Sequence, residues 1–148
     1  MHTFKKYRLI FSILLIITLS YFLYNTMNTR SQETSTAAAI HPLITCRKVG
    51  ERFQPIEPTA TFYVDSPEIH SLLQFENLPK ESKLTAKWFY GSVDQEPFHV
   101  ASIDISGSDT VHFWLQAPAS GWYIGSYRIE IYLNEERIET REILVTYK

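Results

Sequence analysis

Alternation of apolar and polar side chains is the feature that most constrains how residues 59–148 fold. The run YRIEIYLN at 127–134 is its clearest example, because Tyr, Ile, Ile and Leu hold every second position and mostly polar residues stand between them. A two-residue period places one face of a strand on a core and the other toward water. The same period predicts seven strands, at 59–65, 69–76, 83–90, 98–105, 110–116, 127–134 and 137–148.

The predicted strands favour an all-β, antiparallel fold. They are separated by segments rich in Gly, Pro, Asn and Ser, and no helical period lies between them. Half-buried antiparallel strands alternate in this way, whereas buried parallel strands are continuously apolar. Short strands separated by turn residues are typical of a sandwich or a barrel. In the last run Ile138 is out of phase with Ile143 and Val145, which predicts a bulge near residues 140–142.

The N-terminal segment has a different pattern, which predicts a membrane helix. Residues 1–8 contain Lys5, Lys6 and Arg8, and residues 9–24 carry no charged side chain. As a helix these apolar residues would span about 24 Å, somewhat less than the ~30 Å hydrocarbon core of a bilayer. Basic residues before such a helix predict that the N-terminus stays in the cytoplasm. We therefore expect a cytoplasmic basic N-terminus at 1–8 and a single-pass transmembrane signal anchor at 9–24.

Two alternatives to the anchor remain open. A cleaved signal peptide would release a secreted protein, but the residues after the apolar run are bulky, and no small residues mark a cleavage site. A lipoprotein is suggested by Leu43-Ile44-Thr45-Cys46, although this tetrapeptide lies about twenty residues beyond the apolar run. With the anchor in place, residues 25–45, rich in Thr, Ser, Ala and Asn, are expected to form a flexible tether. Residues 46–148 would then form an extracytoplasmic domain at the cell membrane.

Charge and cysteine content limit the classes of function. All 16 acidic residues lie beyond residue 30, together with 10 of the 14 basic ones, so the predicted domain is mildly acidic. It lacks the basic face that contacts to nucleic-acid phosphates require, and we expect no nucleic-acid partner. The single cysteine, Cys46, cannot form an internal disulfide, so the domain depends on its hydrophobic core. Whether Cys46 is free or pairs with another chain stays open.

The stretch around residue 127 resembles the tyrosine corner of immunoglobulin-type sandwiches. In Gly125-Ser126-Tyr127 a glycine precedes the tyrosine by two residues at the start of the sixth predicted strand, and Trp88 in the third resembles the core tryptophan of that fold. The paired cysteines of antibody domains are not found in the second and sixth runs. Residues 59–148 are thus similar to the immunoglobulin-like and fibronectin-type modules of bacterial envelope proteins. The resemblance implies an immunoglobulin-like antiparallel β-sandwich of about seven strands, with Trp88, Gly125 and Tyr127 as structural residues.

No motif in the sequence assembles the side chains of a catalytic or metal site. The histidines of the predicted domain are scattered, and His70 and His112 are expected to point outward from their strands as solvated polar residues. The segment DISGSD, with Asp104, Ser106 and Asp109, has calcium-binding side chains but is more typical of a turn. Metal-ligand spacings and the frame of a nucleophile elbow are missing. We therefore expect no enzyme activity, no cofactor and no metal.

Four large aromatics are predicted to lie away from the core: Phe89, Trp114, Tyr123 and Tyr132. Aromatic pairs stabilise neighbouring strands, which is one explanation for them. Exposed and clustered, they would instead form a binding face, provided that at least three share one sheet. The sequence thus predicts a membrane-anchored, non-catalytic binding or accessory module that docks a protein partner. Carbohydrate or cell-wall binding through these aromatics is the alternative, and an enzyme is the least expected.

Overall fold

The computed structural model describes residues 37–91 and 96–148, which form eight strands and one short 3-10 turn. The turn spans Glu51–Phe53, between the second and third strands. In chain order the strands are β1 Ala39–Ile40, β2 Ile44–Val49, β3 Pro55–Pro58, β4 Thr61–Tyr63, β5 Glu68–Tyr90, β6 His99–Gln116, β7 Gly125–Leu133 and β8 Glu136–Thr146. The prediction of an all-β fold is confirmed.

Two of the strands are long and bent. The sequence predicted four separate strands in their place, with a turn at NLPKES between the first two. In the structure β5 continues through this segment, with shifts in register around Leu78 and left-handed backbone at Asn77 (φ 54°) and Glu81 (φ 66°). Leu78 faces Gly107 of β6, which is also left-handed (φ 71°). Residues in this conformation bend a strand sharply, so the predicted turns are bends within continuous strands.

The bends let β5 and β6 serve both layers of a sandwich. In the first layer the order is β3-β2-β5-β6, using the N-terminal half of β5 and the C-terminal half of β6. In the second layer the order is β6-β5-β7-β8-β4, using the C-terminal half of β5 and the N-terminal half of β6. Neighbouring strands are antiparallel throughout, except that β4 runs parallel to β8.

The inward side chains of both layers form the hydrophobic core. Trp88 is 1% exposed, and its strand neighbours Leu84 and Ala86 are fully buried, as the alternation predicted. The first layer contributes Ile69, Leu73, Phe75, Val111 and Phe113, and the second layer adds Ile129, Ile131, Ile143 and Val145. The periodicity therefore identified the inner face of each long strand correctly.

The predicted tyrosine corner is present at the start of β7. The hydroxyl of Tyr127 donates to the carbonyl of Tyr123, with an O···O distance of 3.1 Å. Gly125 has φ 141°, and a Cβ there would lie 3.2 Å from the ring of Tyr90. Glycine is therefore required at position 125, as inferred from the sequence. Trp122 is buried beside this corner, and its indole Nε1 donates to the carbonyl of Ser66 at 2.7 Å.

The folded unit begins before the predicted boundary at residue 46. β1 pairs with β5 through Ala39 and Ile40, and Leu43 and Thr45 are buried. The prediction of a flexible tether over 25–45 is therefore wrong for residues 39–45. β1 and β2 are short and show almost no alternation of apolar and polar residues, so their sequences do not identify them as strands. They are recognised only by their pairing with the longer β5.

Two further predictions concern single segments. The bulge expected near residues 140–142 lies at Ile138, because Ile131 faces Glu139 whereas the next residue, Tyr132, faces Arg137. Within residues 37–91 and 96–148, no helix is long and apolar enough to cross a bilayer. The predicted cytoplasmic segment 1–8 and the anchor at 9–24 fall outside the described residues.

Candidate functional site

The outer face of the first layer carries an unusual set of side chains. In one cross-strand row Cys46 faces His70, which faces Trp114, and in the next row Ile44 faces Leu72, which faces His112. These residues alternate with core residues along their strands and so point away from the core. Leu72 and Cys46 are buried, yet they do not belong to the core cluster. We call this surface, together with Phe53 of the 3-10 turn, the histidine face.

At its centre two imidazoles are in direct contact. Nδ1 of His70 lies 3.0 Å from Nε2 of His112, and Nε2 of His70 lies 3.1 Å from a carboxylate oxygen of Glu68. One of the two facing ring nitrogens donates and the other accepts, according to the tautomer of each ring. The two rings therefore share one hydrogen bond, and the carboxylate of Glu68 lies within ion-pair distance of His70.

This arrangement corrects the prediction that the histidines are scattered and solvated. His70 and His112 do point outward, but His70 is only 8% exposed, and the two rings touch. They stand 42 positions apart in the sequence and meet because the register of β5 against β6 places them on neighbouring rows. Register depends on long-range pairing, so a single strand's sequence does not reveal it.

The surroundings of the pair favour the neutral imidazole at His112. Burial, which disfavours the imidazolium, lowers the pKa of His112 below its ordinary value of 6.5. A positive charge on His70 would lower it further, while the carboxylate of Glu68 acts in the opposite direction. At neutral pH His112 therefore carries no charge.

Exposed apolar side chains surround the pair. The ring of Trp114, 53% exposed, stacks on His112 with centroids 5.0 Å apart, and that of Phe53, 45% exposed, lies 6.2 Å from His112. Ile44 and Ile56 are also exposed. A cleft of about 600 Å³ opens beside the two histidines, lined also by Arg47, Lys48, Val49, Glu57, Ser66, Pro67 and Glu68. The histidine face thus combines an apolar surface with a polar centre.

The four aromatics predicted to form a binding face lie in three different places. Trp114 belongs to the histidine face, and Tyr123 is 66% exposed in the loop before β7. Phe89 and Tyr132 are on the outer face of the second layer. Phe89 is not exposed, because the guanidinium of Arg128 covers its ring at 4.3 Å. No three of the four share one layer, which was the condition for a common site.

The outer face of the second layer holds a buried charge cluster. The carboxylate of Glu130 accepts hydrogen bonds from Nε of Arg128 at 2.8 Å, the hydroxyl of Tyr132 at 2.6 Å and the guanidinium of Arg137 at 3.2 Å. Arg128 and Glu130 are both buried, although the alternation had placed them in solvent. The sequence signalled only their outward direction. These contacts hold the carboxylate of Glu130 between two guanidiniums, and the cluster is a structural feature of the sheet.

Other candidate residues do not assemble into a site. Cys46 is buried, and burial raises the pKa of its thiol, which disfavours the reactive thiolate. Asp104, Ser106 and Asp109 lie in the bent part of β6. In the described part of the chain, no group of three or more His, Cys, Asp or Glu side chains is placed to hold a metal ion.

Comparison with known proteins agrees with the architecture. No protein-family model matches the sequence, and no curated protein does so either. The structure is similar to that of an immunoglobulin-like protein from Pseudomonas aeruginosa, with a TM-score of 0.54, 10% identity, and coverage of 76% of this chain and 99% of that one. It also matches 30% of an alkylpurine DNA glycosylase, AlkC, from Pseudomonas fluorescens, over 73% of this chain at 12% identity, but with a TM-score of only 0.47. The chain therefore has an immunoglobulin-like β-sandwich fold.

Proposed function

We propose that this protein is a non-catalytic binding module that docks a protein partner through the histidine face. The observation that carries the proposal is the exposure of Ile44, Ile56 and Trp114 on one side of one layer, together with Phe53 of the 3-10 turn, around a polar pair. Contiguous apolar surface of this kind on a soluble domain marks an interaction site more often than chance exposure. The partner's matching surface is largely apolar, because the exposed side chains around the histidine pair are apolar.

The shape of the face favours a protein over a small ligand. Four paired strands span roughly 14 Å, since neighbouring strands lie about 4.8 Å apart. Trp114 and Ile44 project from this sheet, and Phe53 of the 3-10 turn lies beside His112 as a third contact. A broad surface with exposed apolar side chains around a polar pair suits another folded surface, with large aromatics as the main anchors.

Docking on the face is better supported than strand addition at the β3 edge. This edge strand begins at Pro55 and ends at Pro58. Proline has no N–H to donate to an added strand, and natural sheets use it to block their edges. The sequence pattern of residues 1–24 supports an anchor that holds this module outside the cell membrane, with its N-terminus in the cytoplasm.

Site-specific photo-crosslinking in the native cells tests the proposal. A photo-reactive amino acid is placed at position 44 or 53 in the full-length protein, and at position 144 as the control. Leu144 is similarly exposed but lies in the second layer. We expect one adduct of defined mass from positions 44 and 53, absent from position 144 and weakened at least tenfold by Trp114→Ala. The partner, identified by mass spectrometry, should give the same adduct when purified.

Other outcomes decide against the proposal. An adduct of twice the chain's mass would show that a second copy covers the face. Equal crosslinking from position 144, or none from positions 44 and 53, would contradict docking on the histidine face. A glycan titration followed by tryptophan emission tests the carbohydrate alternative, and a saturable shift that Trp114→Ala abolishes would replace the protein partner with a sugar.

A further inference from the structure

We propose that an aromatic cavity beside the tyrosine corner binds a quaternary ammonium group, such as the trimethylammonium of choline. The cavity has a volume of about 300 Å³, at the lower end of the range for small-molecule pockets. Five aromatic rings and one carboxylate line it, from Tyr90, Phe98, Trp122, Tyr123, Tyr127 and Glu96. None of these residues belongs to the histidine face, so the inference goes beyond the docking proposal and does not depend on it.

The rings of the cavity meet at steep angles and do not form a flat patch. Trp122 and Phe98 stand at 90° and 83° to the ring of Tyr127, with centroids 5.8 and 6.1 Å from it. Tyr90 lies 4.9 Å from Tyr127 and 6.0 Å from Tyr123. Trp122 and Tyr127 are buried and form the base, whereas Phe98 and Tyr123 are exposed and form the rim. A cation among these rings would lie within about 6 Å of several centroids, which is the range of cation–π attraction.

Backbone hydrogen bonds hold two of the rings in place before any ligand binds. The hydroxyl of Tyr90 donates to the carbonyl of Ile124 at 2.9 Å, and that of Tyr127 donates to the carbonyl of Tyr123 at 3.1 Å. A ring that is already fixed loses little conformational freedom when a ligand binds. The cavity is therefore largely preorganised.

The charge of the cavity favours a cation over a neutral or anionic ligand. Glu96 is exposed at the cavity, and no Lys, Arg or His lines it in the described part of the chain. Its carboxylate therefore attracts a positive group, and no like charge opposes that group at the walls. The faces of aromatic rings, which are negative, act in the same direction.

The scarcity of hydrogen-bond acceptors selects the kind of cation. An ammonium or guanidinium group would exchange its bonds to water for contacts with apolar ring faces, and unreplaced hydrogen bonds are costly. A quaternary ammonium has no N–H group, so it needs no acceptor and presents only methyl groups to the rings. Aromatic cages are the usual means by which proteins bind such cations. Ring faces with one carboxylate at the rim therefore suit a quaternary ammonium group best.

Calorimetric titration of the full-length protein with choline tests this inference, in a buffer free of other quaternary ammonium compounds. We expect saturable binding together with a change in tryptophan emission, because Trp122 lies at the base of the cavity. The neutral analogue of choline, with carbon in place of the charged nitrogen, has the same shape. It should bind at least about tenfold more weakly, because it gains no cation–π attraction.

A parallel titration distinguishes two sources of the group. Glycerophosphocholine is the water-soluble headgroup of a choline lipid. If it binds more tightly than choline, the inference holds with a lipid headgroup as the ligand. If it binds more weakly, the inference holds with a free ammonium solute as the ligand.

Variants with exposed side chains locate the site without disturbing the core. Tyr123→Leu keeps the side chain apolar but removes the ring, and it should lower the affinity for choline about 2- to 30-fold, the range of one cation–π contact. Tyr123→Phe should bind choline as the unchanged protein does. Glu96→Gln should lower the affinity about 2- to 5-fold, as expected for an exposed charge. Trp114→Ala, on the histidine face, should leave choline binding unchanged, which separates this inference from the docking proposal.

Circular dichroism checks that each variant is folded. The inference is overturned if choline shows no saturable binding or if the neutral analogue binds as tightly as choline. It is also overturned if Tyr123→Leu binds choline as tightly as Tyr123→Phe does.

Discussion

Replacing Glu130 with glutamine tests whether the charge cluster of the second layer stabilises the fold. The Glu130 side chain is 5% exposed, and its two oxygens accept from Arg128, Tyr132 and Arg137. Glutamine has the same shape, but only its amide oxygen can accept a hydrogen bond. Its NH2 group would face one of the donors that now bind the carboxylate, and two donors cannot pair. Two buried charge-assisted hydrogen bonds are worth about 1.5 kcal/mol each, and the bond to exposed Arg137 adds little because solvent screens it. The free energy of unfolding should fall by about 3 kcal/mol.

Urea unfolding of the full-length protein, followed by tryptophan emission, measures this loss. The dependence of the unfolding free energy on urea concentration should stay the same, so that only the midpoint of the transition moves. Glu136→Gln is the matched control, because Glu136 lies exposed on the same hairpin and should change the stability by less than about 0.5 kcal/mol. A loss below about 1 kcal/mol in Glu130→Gln would refute the stabilising role of the cluster.

The same cluster predicts how stability changes with pH. Burial by itself would raise the pKa of Glu130, but the hydrogen bonds from Tyr132 and Arg128 and the charges of Arg128 and Arg137 outweigh it and lower the pKa. A carboxyl with a lowered folded-state pKa contributes stability above its unfolded value of about 4.3, and this stability is lost as the pH falls toward the folded value. Unfolding curves from pH 7 to pH 3 should therefore show a shallower acid loss in Glu130→Gln. Equal acid sensitivity in both proteins would contradict this origin.

Two further substitutions test the core and the tyrosine corner. Trp88→Ala should cost about 3–5 kcal/mol, because the buried indole leaves a large cavity, whereas the exposed Trp114→Ala should stay within about 0.5 kcal/mol; equal melting temperatures of the two variants would show that Trp88 is not a core residue. Tyr127→Phe should cost about 1–3 kcal/mol in urea unfolding, because the carbonyl of Tyr123 loses its donor, with Tyr147→Phe as the exposed control. A loss no larger than the control's would mean that the corner hydrogen bond does not stabilise the fold.

The local pattern predicted the parts of the fold that one strand can decide. Alternation placed Trp88, Ile129 and their neighbours in the core, because side chains two residues apart share a face. The Gly-Ser-Tyr sequence predicted the corner at Tyr127. Glycine has no Cβ to clash at the positive φ of this turn, and the tyrosine hydroxyl can donate to the carbonyl four residues earlier. β1, β2 and β3 escaped prediction, since they are short and gain their stability from pairing with neighbours.

The candidate site was beyond the reach of the same reasoning. His70 and His112 each looked like a solvated side chain on its own strand. Their contact follows from the alignment of β5 with β6, which brings together residues 42 positions apart in the sequence. The burial of Arg128 and Glu130 likewise follows from the pairing of β7 with β5 and β8. No local signal distinguishes an outward histidine with a partner from one in water.

The order of the amino acids by itself determined which side of each long strand is apolar and where the chain bends or turns, because both follow from local geometry and solvation. The tertiary structure alone decided which outward side chains meet. The register of β5 against β6 places two imidazoles 3.0 Å apart, and the 3-10 turn brings Phe53 beside them. These features depend on pairing between segments that are distant in the sequence, so the sequence of any one segment does not determine them.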